Sequence, residues 1–402
     1  MGITGCILAK NEENNLRGCI ESIKDFVNEI IVVDNESTDN TCSIAHELGC
    51  KVVKFRGQNE SAARNVYLDE STQPWILVLD ADERFVPESC DLILDNIKKA
   101  SDNTLGFIFP RFEYHGEGKW ACTTLMRLTR NHSKIRYKDG KIHPTLVPAI
   151  KELDGNVECI YLPIHHLDIL QKKRTSIKRS IYTARLEEAI KNNRDDLYDY
   201  RLHNYLGVEY TALGRYDEAE FEYKKAKELS DRAIPLANVY LAQNYILKND
   251  LDMAKYEAEL IFKTKSYCVD NCVVNEIKER AYSLLAEIAV RQNRIVDAIC
   301  ICEEAINKNP LAPHSYINAA SLLEKRDPRK AIDYIYKAIK LNPYLEKEII
   351  YKKGETPNIF LHQTSFLSTT RTVFEHLEEC YKNLGQYDLS LHFRKRRQLM
   401  NC

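Results

Sequence analysis

The chain has almost no excess of charge of either sign: 57 Lys and Arg stand against 59 Asp and Glu in 402 residues. That balance gives no electrostatic argument for nucleic acid or an anionic membrane as a partner. Long apolar runs are missing too, so no segment is expected to span a bilayer. Met1 to Lys10 holds only a brief apolar run with no basic stretch before it, which does not read as a secretory leader. Cys6 stands where a myristoylation signal after Gly2 would want Ser or Thr. The thirteen cysteines contain no C-x-x-C pair, which disfavours a zinc site, and their odd number suits reduced, mostly buried thiols. A cytoplasmic protein is expected. The length implies two or three domains.

What is present is organised around Trp75-Ile-Leu-Val-Leu-Asp80-Ala-Asp82-Glu83. Five large apolar residues followed at once by acids fit a strand covered on both faces that carries its carboxylates at its C-terminal end. Asp80 and Asp82 can converge on one hard cation, which prefers carboxylate and phosphate oxygens. Taken alone, such a pair equally reads as a solvated turn with Asp as a cap.

The neighbouring segments repeat the pattern. Gly2 to Ala9, Glu29 to Val33 and Lys51 to Phe55 read as strands, with helical periodicity over Glu12 to Lys24, through Cys42, Ile44, Ala45 and Leu48, and from Ser61 to near Ser71. This βαβαβ order implies a parallel sheet with right-handed crossovers. Three strands then end in polar signatures at one rim: Ala9-Lys10-Asn11-Glu12, Asp34-Asn35 and Asp80-Ala81-Asp82. In an open α/β sheet, ligands bind beyond that rim.

These residues resemble the nucleotide-sugar-binding half of the family-2 glycosyltransferases, which have the GT-A fold. The matching segments are Asn11-Glu12, Ile31-Val-Val-Asp34-Asn-Glu-Ser37-Thr-Asp39, Ala63-Arg64-Asn65 and Leu79-Asp80-Ala81-Asp82-Glu83. The resemblance implies a donor site of Ala9, Asn11, Glu12, Asp34, Arg64, Asp80 and Ala81, with Asp34 accepting from the imide of a uracil-type base. It places Asp80 and Asp82 on a divalent metal, Mn2+ or Mg2+, with His165 of Leu162-Pro-Ile-His165-His166 as third ligand. Read from the residues alone, that His pair fits a buried turn equally well. Two further strands, Leu105 to Tyr114 and Cys122 to Leu128, flank the polar loop His115 to Trp120. An inverting transfer needs a base near the acceptor, and Glu113, Glu117, Asp139 and His143 are the candidates. Where the family pattern has Glu after the His, this chain has Pro144, so no role for that acid carries over.

Beyond residue 175 the periodicity turns helical and an internal repeat emerges. Leu206-Gly207, Tyr210, Ala219, Tyr223 and Ala226 occupy tetratricopeptide positions, and Ala254, Ala298, Ala331 and Ser390 continue the Ala219 position. The excess spacing implies insertions over Lys265 to Lys278 and Glu346 to Thr370. The expected architecture is a GT-A (Rossmann-like) α/β catalytic domain over 1–172, a linker helix over 173–199 and an all-α tetratricopeptide-repeat superhelix over 200–402. That combination is similar to the bacterial peptide S-glycosyltransferases of the sublancin-modifying type. The function implied is transfer of a hexose, glucose by preference, from a UDP-sugar to a peptide or protein acceptor held by the repeats, at a Cys or Ser of a bacteriocin precursor. The alternatives are a lipopolysaccharide or cell-wall glucosyltransferase and, in another class, a catalytically dead repeat scaffold. The large faces of the repeats suggest a homodimer.

Overall fold

The computed structural model describes residues 2–86, 90–116, 119–138, 144–167, 176–192, 199–230, 236–263, 271–346 and 371–400. The chain divides into two compact units, the first mainly residues 1–113 and 123–168, the second mainly 169–268 and 273–402. Among the described residues no helix is long and apolar enough to cross a membrane.

In the first unit β1 (Ile3–Ala9), α1 (Leu16–Ile23), β2 (Glu29–Asn35), α2 (Thr41–Glu47), β3 (Lys51–Phe55), α3 (Glu60–Glu70) and β4 (Trp75–Asp80) follow one another as the apolar pattern requires. Strands β3, β2, β1 and β4 lie side by side in that order, all parallel. The side chains of β1, β4 and the middle of β2 are almost wholly buried because helices cover both faces, while those of the edge strand β3 are half-buried or exposed. Parity along β4 separates the faces. Trp75, Leu77 and Leu79 join Leu16, Cys19, Ile20 and Ile23 of α1 in one core, so Ile76, Val78 and Asp80 point the other way.

A short β5 (Glu83–Arg84) and α4 (Asp91–Lys99) lead to a long pair, β6 (Thr104–Gly116) and β7 (Lys119–Arg130). These strands run on through most of the stretch expected to be a loop. β7 pairs antiparallel with β4, which carries side chains from a distant part of the chain to the rim. After α5 (Val147–Lys151) and β8 (Asn156–Cys159), β9 (Ile164–His166) lies parallel to β6 and antiparallel to β5. Cys6, Cys19, Cys42, Cys50, Cys90, Cys122, Cys300, Cys302 and Cys380 are free thiols. Cys159 is disulfide-bonded, a departure from the all-thiol chain expected.

The second unit opens with α6 (Ser176–Asn192). Helical hairpins follow: α7 (Asp199–Ala212) with α8 (Tyr216–Leu229), α9 (Leu236–Leu247) with α10 (Leu251–Lys263), α11 (Asn271–Arg291) with α12 (Ile295–Lys308), α13 (Pro313–Leu323) with α14 (Pro328–Leu341), and α15 (Val373–Asn383) with α16 (Tyr387–Met400). Ala219, Ala254, Ala298, Ala331 and Ser390 each take the fourth place of a second helix, and all are buried. Only small side chains let the two helices cross so closely. Four of the turns share one closure: Gly214, Asn249, Asn293 and Gly385 have positive φ, and the next N–H reaches back to the carbonyl of Tyr210, Tyr245, Ala289 or Tyr381. Gly and Asn tolerate that left-handed conformation. In the turn before α14, Asp327 instead caps the helix by accepting from the Lys330 N–H. Part of the first expected insertion is the extended start of α11, and 347–370 of the second lies outside the described residues.

Gly207 of α7 packs against the ring of Tyr223, where a Cβ would come within 2.4 Å. That ring is fully buried, stacked on Tyr240 and bonded through its hydroxyl to Thr211. Gly207→Ala gains about 1 kcal/mol of helix propensity but forces overpacking that costs about 1–3 kcal/mol. The clash is expected to win, lowering the melting temperature of the repeats. A rise on calorimetry would show that the ring can yield.

Candidate active site

The loops after β1 and β2 are stapled together. Asn11, at φ 56°, donates its N–H to Ser37 Oγ and accepts the Thr38 N–H on Oδ1 at 2.8 Å. The Glu12 N–H donates to Thr41 Oγ1, and its carboxylate accepts from Asn15 Nδ2. Asn11 and Glu12, expected to touch the donor, thus shape the rim. Ala9 and Ala81 bury their methyl groups in the core.

Asp34 lies beside Ala9 in the β1–β2 register and beside Lys54 in the β2–β3 register. Its side chain is fully buried. Oδ2 accepts from Lys54 Nζ at 2.9 Å and from the Ser37 N–H. Burial pushes the carboxyl up, but the bonds from Ser37, Lys54 and Cys42 outweigh it and hold it below the usual range. Oδ1 has no hydrogen-bond partner among the described residues. A buried carboxylate oxygen without a donor is costly, and a ligand N–H would satisfy it.

Two strands over, beyond β1, Asp80 is clamped between guanidinium groups: Arg64 Nη2 meets Oδ1 at 2.7 Å and Arg127 Nη2 meets Oδ2 at 2.6 Å. Arg64, on α3, also binds Glu60 and the Tyr67 hydroxyl. Burial pushes Asp80 up, but Arg127 and Arg64 hold its carboxyl far below the ordinary carboxylate range. Beneath it sits Glu83, wholly buried. Glu83 Oε1 accepts from Arg127 at 2.6 Å and Arg111 at 3.2 Å, while Oε2 accepts the Asp80 N–H at 3.1 Å. Arg111 extends the network to Glu113, which also accepts from Thr123 Oγ1. Of the expected bases, Glu113 is therefore placed at this cluster. Glu117, Asp139 and His143 lie outside the described residues.

Asp80, Asp82 and His165 are the metal ligands expected. Both Asp80 oxygens accept from arginines, and the histidine that stands beside Asp82 is His166, with Nε2 3.5 Å from Asp82 Oδ2. Successive residues of a strand point to opposite faces. His165 is fully buried against the Phe112 ring, whereas His166 stands opposite Glu83 in the β5–β9 register. The signal that could have separated them was this pairing with the acidic turn, invisible in a bare His-His doublet. Burial and Arg111 push the His166 imidazole down, but Asp82 outweighs them and its pKa ends above the ordinary value.

Among the described residues no three His, Cys, Asp or Glu side chains converge closely enough to hold a metal ion by themselves. The Asp82–His166 pair suits a cation that completes its shell with water and phosphate oxygens, as Mg2+ does with one or two carboxylates; imidazole favours Mn2+. Sequence reasoning gave no part to Glu83, Arg111 or Arg127, because their meeting depends on strand pairing.

Residues 5–151 match the family model described as glycosyl transferase family 2. A TPR repeat-containing protein of Synechococcus elongatus is 36% identical over 134 residues, 33% of this chain and 32% of its own. The SPbeta prophage-derived glycosyltransferase SunS of Bacillus subtilis is 29% identical over 147 residues, 35% of this chain and 34% of its own. The chain thus spans about a third of the length of these curated relatives. Among solved structures, glucosyl-3-phosphoglycerate synthase from Mycobacterium tuberculosis, in complex with Mn2+, UDP-glucose and glycerol 3-phosphate, aligns at 21% identity and a TM-score of 0.25, covering 29% of this chain and 46% of that one. Residues 5–151 thus carry the match to glycosyl transferase family 2, and the helical hairpins after them repeat the small residue at the fourth place of each second helix that the tetratricopeptide pattern has.

Proposed function

We propose that the chain transfers a hexose, glucose by preference, from a UDP-sugar to a peptide or protein acceptor, with inversion and with a divalent ion. The observation that carries this reading is the set of acids at the carboxyl ends of β2 and β4, the two strands that flank β1: Asp34, with a buried oxygen that lacks a partner among the described residues, and the Asp80–Asp82 turn braced by Arg64, Arg127 and Glu83.

Asp34 accepts the N–H of the base. Asp80, fixed by two guanidinium groups, sets the position of the turn so that Asp82 and His166 face the diphosphate. Asp82 and His166 would hold a divalent ion, which when bound would supply positive charge where negative charge collects on the leaving group. The acceptor sulfur or oxygen attacks the anomeric carbon from the side opposite the diphosphate, the bond to the diphosphate oxygen breaks, and the acceptor proton passes to a base. We assign that role to Glu113, the one of the expected bases that lies among the described residues, where it pairs with Arg111 and accepts from Thr123. The repeats hold the acceptor, because an extended concave face suits an extended chain. The preference for a Cys over a Ser, and for a bacteriocin precursor as substrate, rests on the likeness to peptide S-glycosyltransferases. The chain is expected to work in the cytoplasm, as a homodimer.

Incubation with UDP-glucose, a manganese salt and a Cys-containing peptide tests the reading. Release of UDP with a hexose mass gain on the peptide is expected; no release with peptide, lipid or glycan acceptors contradicts it. Asp34→Asn is expected to weaken UDP binding about tenfold to a hundredfold in titration calorimetry, since it leaves a buried polar mismatch. Unchanged affinity would remove Asp34 from base recognition.

A further inference from the structure

Lys54 has no part in the scheme above, and its surroundings suggest one. It sits at the carboxyl end of β3, directly beside Asp34 in the strand register. Its Nζ donates to Asp34 Oδ2 and reaches Cys42 Sγ, while its side chain remains 66% exposed. An ammonium has three donors, so one remains for a third partner. Asp34 Oδ1, within the same carboxylate, is a buried acceptor lacking a partner among the described residues. An acceptor and a donor thus stand side by side.

We infer that Lys54 is a specificity-determining residue that reads the nucleotide base together with Asp34. This rests on the donor being a nucleoside diphosphate sugar. The pair complements an imide edge, an N–H next to a carbonyl: Asp34 Oδ1 accepts the N–H and Lys54 Nζ donates to the carbonyl oxygen. Uracil presents that edge. Cytosine presents a bare ring nitrogen, an acceptor, which would face the Asp34 carboxylate and leave it unsatisfied. Lys54 also draws Oδ2 away from the ligand and so leaves Oδ1 to meet the base. Mutual neutralisation keeps the pair from repelling a diphosphate.

Titration calorimetry of UDP and CDP, with manganese present, against the full chain and its Lys54→Met and Lys54→Arg variants tests this. The wild type is expected to favour UDP about a hundredfold, two good hydrogen bonds each being worth about tenfold. Lys54→Met should lose about tenfold of that preference and Lys54→Arg should keep most of it. Thermal melts confirm that each variant is folded, and Lys54→Arg retains a cation beside Asp34 should Lys54→Met fail to fold. An undiminished preference in Lys54→Met, or a preference lost equally in Lys54→Arg, overturns the role of Lys54 while leaving the donor reading intact. Equal binding of UDP and CDP by the wild type overturns base reading by the pair. Failure to bind any nucleoside diphosphate overturns the donor reading, and this inference with it.

Discussion

Asp82→Asn is expected to lower turnover by about 10²- to 10³-fold with the fold intact, the usual cost of removing one well-placed electrostatic group from a transferring centre. Asn has the size of Asp but no charge, and the arginine contacts that brace the turn go to Asp82's neighbours: Arg64 and Arg127 hold Asp80, and Glu83 caps its N–H. The loss should therefore fall on catalysis and not on stability. Released UDP measured across a series of manganese concentrations separates the contributions. The variant should need far more metal to reach half of its own maximum. Equal turnover at equal metal would remove Asp82 from the mechanism.

The second large effect is expected at Glu83, and it is one of stability. Glu83→Ala leaves the buried guanidinium groups of Arg111 and Arg127 short of a counter-charge and strips the Asp80 N–H of its acceptor. Breaking a buried ion pair from one side costs about 3–5 kcal/mol. In a unit of this size that corresponds to roughly ten degrees or more in melting temperature. Because the chain has two units, a single melting temperature would blur the result, and calorimetry should show the N-terminal transition moving while the repeats melt as before. A shift of less than about two degrees would mean that the network contributes little to the fold and that Asp80 is positioned by other means.

Much of this architecture could be read from residue order. The parallel strands were legible because burial on both faces writes a continuous apolar run, and their ends because acids follow the last apolar residue at once. The hairpins were legible because close helix crossing demands a small residue at one fixed place, filled by Ala219, Ala254, Ala298, Ala331 and Ser390. The clamp on Asp80 was not. Arg127 lies 47 positions away in sequence and arrives by way of an antiparallel strand, a pairing that local periodicity does not record. The same blindness applies to the histidines, since His165 and His166 differ in which face of β9 each occupies and a His-His doublet does not record that. The helix expected from Glu12 begins at Leu16, because the backbone of residues 11–13 is spent on bonds to Ser37, Thr41 and Asp39 of the next loop.

On the proposed reading, one rim of the sheet holds the activated sugar, its base at Asp34 and its diphosphate at Asp82 and His166. Crystals of the chain grown with UDP and manganese are the sharpest test. Density is expected for the base against Asp34 Oδ1 and for a metal ion between Asp82, His166 and the diphosphate. Nucleotide bound away from the ends of β2 and β4, or metal bound without Asp82, would contradict it.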